Sequence, residues 1–142
     1  MATPADLHNL KRFIEAQDPV YKQVLAELHA AKKRSHWIWF IFPQIAGLGV
    51  SSTSQFYSIR SLNEAKAYIE HMVLGPRLRE CTALVNQAEN KTILDILGSP
   101  DDMKFHSCMT LFAQATTDNQ LFDAALQKYF NGDPDQQTLA KL

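Results

Sequence analysis

The hydrophobic positions of this chain recur mostly at the three-and-four-residue spacing of amphipathic helices. The clearest case is the segment 20–31, where apolar residues share one face and charged residues the other. Further helices are predicted over residues 6–14, 61–72, 76–85, 92–97, 100–112 and 121–130, with one more turn in the tail 133–142. No segment alternates apolar and polar residues as a half-buried strand does. The pattern predicts an all-α protein of about six to eight helices.

Residues that favour helix ends mark several of these boundaries. Asp18 followed by Pro19 predicts the start of the helix over 20–31, because an N-cap aspartate is often followed by proline at the first helical position. Ser99 followed by Pro100 predicts the start of the helix over 100–112 in the same way. Ser61 predicts the N-cap of the helix that follows it.

One segment has no helical period. Residues 35–44 read SHWIWFIFPQ and include both tryptophans of the chain; we call them the aromatic block. A run this apolar is expected to be mostly buried. The apolar stretch 37–42 is too short for its hydrophobic period to show whether it forms a helix or a strand. Its polar residues Ser35, His36 and Gln44 would then lie at the edge of the core with restricted motion, as binding residues usually do. We therefore take the aromatic block as the candidate functional face.

Length and charge limit the classes of function. A chain of 142 residues with 46% hydrophobic and 20% charged residues is typical of one compact domain, here 1–142. The formal net charge of −1 gives no basic field for nucleic acid or an anionic membrane, so neither partner is expected. The run Lys32–Arg34 is the one local cluster of cations, and it predicts either a solvated helix end or a contact with an anion.

The cysteines and histidines indicate no metal or redox chemistry. Cys81 and Cys108 are far apart without metal-like spacing, which favours reduced thiols in a cytoplasmic protein. The five histidines show no paired spacing, and no phosphate-binding or dinucleotide-binding glycine motif is present. We expect no metal and no cofactor. The first residues do not read as a signal peptide, and the longest apolar run is too short to cross a bilayer.

Beyond these patterns, the chain resembles the domain of unknown function family 1810. The resemblance covers nearly the whole chain and rests on the aromatic block and on the segments GLG at 47–49, YSI at 57–59, LGPRL at 74–78, DDMK at 101–104 and SCMTLF at 107–112. It implies an all-helical, two-lobed fold in cytoplasmic, mostly bacterial proteins without an established activity. Some members are labelled calpastatin, but calpastatin is an extended disordered repeat, unlike this hydrophobic chain. The family tends to have serine where this chain has Cys108, which argues against that thiol as a nucleophile.

The later part of the chain is also similar, in its order of charged helix starts, to the NADAR family, which processes ADP-ribose derivatives. This resemblance implies an enzyme that cleaves a glycosidic bond, with Asp102 and Lys104 as candidate catalytic residues. Asp101 is an alternative carboxylate, although capping of a helix start explains both aspartates as well.

The hypothesis from the sequence is that the aromatic block binds an anionic, nucleotide-like small molecule. The candidate ligand-binding residues are Lys33, Arg34, Ser35, His36, Trp37, Gln44, Arg77 and His106. Each of them also has a purely structural interpretation, as a hydrogen-bonded histidine, a loop-fixing polar group or a core aromatic. A protein-interaction module, with the contact formed by the loop 47–57, is the alternative without catalysis. The sequence leaves the oligomeric state open.

Overall fold

The computed structural model describes residues 6–142, and in this part of the chain every regular element is a helix. Six of the ten helices have seven residues or more. The all-α prediction is confirmed, and the two helices beyond the predicted eight are short ones in the segments 38–41 and 52–56. The helices are α1 Lys11–Gln17, α2 Tyr21–His29, α3 Ile38–Ile41, α4 Ser52–Phe56, α5 Leu62–Glu70, α6 Leu74–Gln87, α7 Ile93–Leu97, α8 Asp101–Ala115, α9 Gln120–Phe130 and α10 Gln136–Leu139.

Several predicted helix ends are confirmed by their capping hydrogen bonds. The Ser61 hydroxyl accepts the Glu64 amide at the start of α5. At α7, Thr92 and Asp95 form a complete capping box, which satisfies two amides of the first turn. The last turn of α9 ends at Asn131, which has a left-handed backbone conformation with φ of 54°.

Two predicted N-caps are wrong, and the helix predicted over 6–14 begins only at Lys11. Asp18 continues the last turn of α1, its amide donating to the Ile14 carbonyl, and α2 begins only at Tyr21. The Asp18 carboxylate pairs with Arg77 at 2.8 Å, so it contributes a contact between helices instead of a cap. At α8 the Pro100 carbonyl closes the first turn by accepting the amides of Met103 and Lys104, one residue later than a Ser99 cap requires.

The aromatic block contains helix α3, so its apolar stretch is helical and not a strand. The loop expected after Pro43 is also partly helical, because Ser51 caps α4 through the Ser54 amide. The residues on either side of α4 form an isolated parallel bridge, Ile45 with Ile59, which closes the segment 45–59 into a loop.

Helix α8 lies at the centre of the core. Nine of its residues are buried, and it packs against α3, α5, α7, α9 and α10. Phe42 of the aromatic block meets Phe105 of α8 edge to face, with ring centroids 4.9 Å apart. The start of α8 and the aromatic block are therefore neighbours in space. Among residues 6–142 no helix has the length and hydropathy that a membrane span requires.

Candidate functional site

Glu27 organises the segment that leads into the aromatic block. Its side chain lies on α2 and the residue is only 6% exposed. The carboxylate accepts hydrogen bonds from the backbone amides of Arg34 and Ser35, at 2.7 and 3.1 Å. It also accepts the Ser35 hydroxyl at 2.6 Å, the Trp37 indole N–H at 3.0 Å and the Gln23 amide at 3.0 Å. Four of these five donors belong to the chain after α2, which they fold back onto that helix.

These bonds give Glu27 an unusual acidity. Burial by itself raises the pKa of the carboxyl, but the hydrogen bonds from Ser35, Arg34, Trp37 and Gln23 outweigh it and lower the pKa to about 2. The side chains of Ser35 and Trp37, both candidate ligand-binding residues, are therefore already engaged within the protein. Arg34 and His36 are exposed, and neither side chain forms a hydrogen bond or ion pair with a described residue.

Lys33 connects the same segment to the start of α8. Its ammonium lies 2.7 Å from the Asp101 carboxylate, with 7% of the lysine side chain exposed, and 5.0 Å from the centroid of the Trp37 ring. The charge of Lys33 is thus neutralised inside the protein. The run Lys32–Arg34 predicts either a solvated helix end or a contact with an anion. For Lys33 the structure shows an ion pair inside the protein instead.

Arg77 lies in another part of the fold, on α6 facing α1 and α2. Its guanidinium pairs with Asp18, donates to the Gln17 side chain at 3.3 Å, and lies 4.7 Å from the Tyr21 ring centroid. These contacts join three helices. The structure does not bring Arg77 together with the aromatic block's candidate residues.

A cleft lies where the aromatic block, the segment 45–58 and α8 meet. It consists of an inner and an outer depression that share Gln44, Gly49 and Lys104. The inner depression has a volume of about 10 Å³, and the outer one about 240 Å³. The other inner residues are Trp39, Phe42, Ile45, Ser54, Tyr57 and Ser58.

The half-buried side chains of the inner depression have unused polar groups. The Lys104 ammonium forms no ion pair with a described residue, and its one described interaction is with the Trp39 ring, 5.3 Å from the centroid. The Gln44 amide, the Tyr57 hydroxyl and the Trp39 indole N–H likewise form no hydrogen bond within residues 6–142. Half-buried polar groups that are not engaged within the protein are available to a ligand or to water, and four of them surround this one cleft.

The outer depression is lined by α8 and the C-terminal segment, and its polar groups are mostly engaged. His106 bonds to the Asp133 carbonyl at 2.7 Å and stacks on Phe130. The Asp135 carboxylate accepts the hydroxyls of Ser107 and Thr138 at 3.1 and 2.6 Å. His106 therefore lines the cleft, but its ring is fixed by the contacts that hold the C-terminal segment.

Asp102, a candidate catalytic residue, lies two residues before Lys104 but lines neither depression. Its Oδ1 atom is buried and has no hydrogen-bond partner among the described residues. Of the ten candidate residues, the structure brings Gln44, Lys104 and His106 together in the cleft.

In residues 6–142 no group of three or more histidine, cysteine or acidic side chains is arranged to hold a metal ion.

The sequence pattern missed Tyr57 and Gly49 as cleft residues. Tyr57 follows Phe56 at the end of a run of small polar residues, and two adjacent aromatics give no periodic signal. The Tyr57 ring packs on Phe13, Phe40 and Phe56, and the residue lines the inner depression. Aromatic residues in an otherwise polar loop, together with the family-like segments at 47–49 and 57–59, were the available signs.

Comparisons with known proteins agree with this fold. The family model described as "Protein of unknown function (DUF1810)" matches residues 7–142. The crystal structure of the conserved hypothetical protein Rv1873 from Mycobacterium tuberculosis is similar to this chain, with a TM-score of 0.96 and 55% sequence identity, over 96% of this chain and 98% of that one. No curated protein matches the sequence.

Proposed function

The chain belongs to the DUF1810 family, and from the geometry of its cleft we propose that it binds a small anionic, nucleotide-like molecule between the aromatic block and α8. The observation that supports this most is the half-buried Lys104 ammonium, which has no carboxylate partner among residues 6–142. A cation without a partner at the wall of a cleft attracts an anion, and reduced access to water strengthens that attraction.

The neighbouring groups support a ligand with further polar atoms. Gln44 offers an amide that both donates and accepts, and Tyr57 a hydroxyl that does the same. These groups suit the hydroxyls of a sugar as well as the oxygens of a phosphate. The Trp39 face is covered by Lys104, so the ring contributes its edge and its N–H.

The size of the cleft favours a small ligand or one part of a larger one. Its outer volume of about 240 Å³ lies below the roughly 300–1,000 Å³ of common ligand sites. The wider groove between α2 and α6, about 430 Å³, is lined by three aliphatic residues, by His29 and Gln87, and by Glu80, whose carboxylate does not suit an anion. We also propose a cytoplasmic location, which two buried cysteines without a disulfide support.

A thermal-shift screen tests the proposal with ADP-ribose, NAD, AMP, ADP and inorganic phosphate. A ligand at a hundredfold excess over its Kd should raise the Tm by about 5 °C or more, since it binds only the folded state. The Lys104→Met variant should lose most of that shift, because it keeps the length of the side chain and removes the charge.

The matched control is Lys22→Met, at an exposed lysine on α2 outside the cleft. It should keep the full shift. If every compound leaves the Tm of the wild-type protein unchanged, the proposal is wrong; if Lys22→Met loses the shift as Lys104→Met does, the ligand is not bound at the cleft.

A protein-interaction module is the second candidate, and the rim of the cleft supports it. Val50 is 91% exposed and Met103 68% exposed, and Met103 lines the outer depression. Exposed apolar side chains beside a cleft are typical of protein contacts. In this case ligand screens would show no shift, while a Val50→Asp, Met103→Asp double variant would abolish co-purification of a specific partner.

Cleavage of an ADP-ribose bond is a further proposal, with Asp102 as acid or base and Lys104 as the anion contact. The orphaned Asp102 oxygen supports it, but its place outside the cleft lining gives it less support than simple binding. Release of free ADP-ribose from a glycosidic substrate, abolished by Asp102→Asn in a folded variant, would establish this activity.

A further inference from the structure

We propose that the inner depression receives one oxygen atom of a terminal phosphate, a phosphate with a single substituent, so that the ligand is a phosphomonoester and not a phosphodiester. This inference rests on the proposed function, because it concerns the same cleft. It adds the chemical class of the ligand and the direction in which the ligand enters.

The size of the inner depression sets the first limit. Its volume of about 10 Å³ corresponds to about one water molecule. A whole phosphate or a sugar ring does not fit there, but a single oxygen does. The rest of the ligand must then occupy the outer depression of about 240 Å³.

The charges of the cleft set the direction. Lys104 borders both depressions, while the lining of the inner one includes no carboxylate. Asp135 lines only the outer depression, where its carboxylate accepts the hydroxyls of Ser107 and Thr138. An anionic group is therefore attracted to the inner end and repelled from the outer end.

The walls of the inner depression and the charge of the anionic group favour a terminal phosphate. The lining residues Gly49 and Ser54 pack closely, because an added Cβ at Gly49 would lie 2.5 Å from the Ser54 Cβ. A phosphomonoester has one substituent and can direct a free oxygen into the small inner depression, whereas a diester must place two substituents at its entrance. A monoester also has a charge of about −1.5 to −2 at pH 7, against −1 for a diester.

The test compares AMP with 3′,5′-cyclic AMP by isothermal titration of the wild-type protein. The two ligands share base and ribose, and they differ in whether the phosphate is terminal. We expect AMP to bind at least tenfold more tightly. Ribose 5-phosphate should bind nearly as well as AMP, because the base lies outside the inner depression. If inorganic phosphate binds as tightly as AMP, the proposal of an ester ligand is wrong and the ligand is the free phosphate anion.

Variants of the inner polar groups give an independent measurement. Gln44→Leu and Tyr57→Phe should each weaken AMP binding about five- to tenfold, as expected for one lost hydrogen bond to a charged group. Gln87→Leu, at an exposed glutamine on α6, is the matched control and should leave AMP binding unchanged. Far-UV circular dichroism of each variant verifies the fold.

The outcomes separate this inference from the proposed function. Equal affinities for AMP and cyclic AMP, both reduced by Lys104→Met, would overturn the terminal-phosphate site and leave the anion-binding cleft in place. AMP binding that is insensitive to both inner variants would overturn it as well. No binding of any phosphorylated compound would overturn both proposals.

Discussion

At the scale of single residues, the structure separates charged groups that hold the fold from a charged group that is available to a ligand. Glu27 and Lys33 are both nearly buried, and both have partners within the protein: five donors for Glu27 and the Asp101 carboxylate for Lys33. Lys104 has only the Trp39 ring. Because a buried charge needs partners to be stable, the first two explain the local fold and the third indicates function.

The Glu27→Gln substitution tests the structural role of this carboxylate. Glutamine replaces one acceptor oxygen with an NH₂ group, so at least one buried donor among Ser35, Trp37 and the backbone amides loses its partner. We expect a loss of about 2–4 kcal/mol in the free energy of unfolding, measured by urea denaturation. Glu15→Gln, at an exposed glutamate of α1, should change it by less than about 0.5 kcal/mol.

The difference in unfolding free energy between the wild type and Glu27→Gln should depend on pH, because the pKa of Glu27 is lowered in the folded protein. In the unfolded chain the carboxyl has its ordinary pKa near 4.5, and in the folded protein its pKa is about 2. The stabilisation is therefore fully present above about pH 4.5 and is lost as the pH falls toward 2. The difference in stability between wild type and Glu27→Gln should shrink over this interval. A difference that stays constant from pH 6 to 2.5 would contradict the assignment.

At the scale of elements, sequence patterns identify helices well and their starts less well. The helices over 92–97 and 121–130 were predicted nearly to the residue, because capping and glycine signals act locally. The predicted start at Asp18 is wrong because this residue continues α1 and its carboxylate pairs with the distant Arg77. The predicted start at Ser99 is one residue early because the Pro100 carbonyl accepts the first amides of α8. Helices α3 and α4 were missed since four or five residues give too short a period.

The junction of α5 and α6 offers a test in which local preference and packing give opposite predictions. Alanine is favoured over glycine in a helix by about 1 kcal/mol, so preference alone predicts that Gly75→Ala stabilises the protein. However, a Cβ at Gly75 would lie 2.2 Å from the Ile69 carbonyl oxygen. We expect a net loss of at least about 2 kcal/mol in the free energy of unfolding, measured by urea denaturation.

Asn63→Ala on the exposed face of α5 is the control for Gly75→Ala. Its side chain forms no hydrogen bond with a described residue, so the change should stay within about 0.5 kcal/mol. A Gly75→Ala protein as stable as the wild type would show that α5 and α6 separate at little cost, and that this close approach does not constrain the fold.

At the scale of the whole molecule, the cleft is formed by segments that are distant in the chain. Gln44, Tyr57, Lys104 and Asp135 come from four such segments, and only the packing of α8 brings them together. The sequence could therefore indicate the aromatic block as a functional face and name Gln44, Lys104 and His106. The sequence could not indicate that Ser35 is hydrogen-bonded to Glu27 or that Lys33 is paired with Asp101, because these contacts depend on tertiary structure.

The arrangement of the core leads to a last prediction, on cooperativity. The buried hydrophobic residues of the described chain form one cluster that extends from Leu10 in the chain segment before α1 to Leu126 on α9. Trp37 is 1% exposed in that cluster. A continuous core should unfold in one step, so the urea transitions followed by Trp37 fluorescence and by far-UV circular dichroism should coincide. The Trp39→Phe variant isolates the Trp37 emission. Two separate transitions would instead indicate two lobes that unfold independently, as the family resemblance implied, and the cleft at the aromatic block would then lie where they meet.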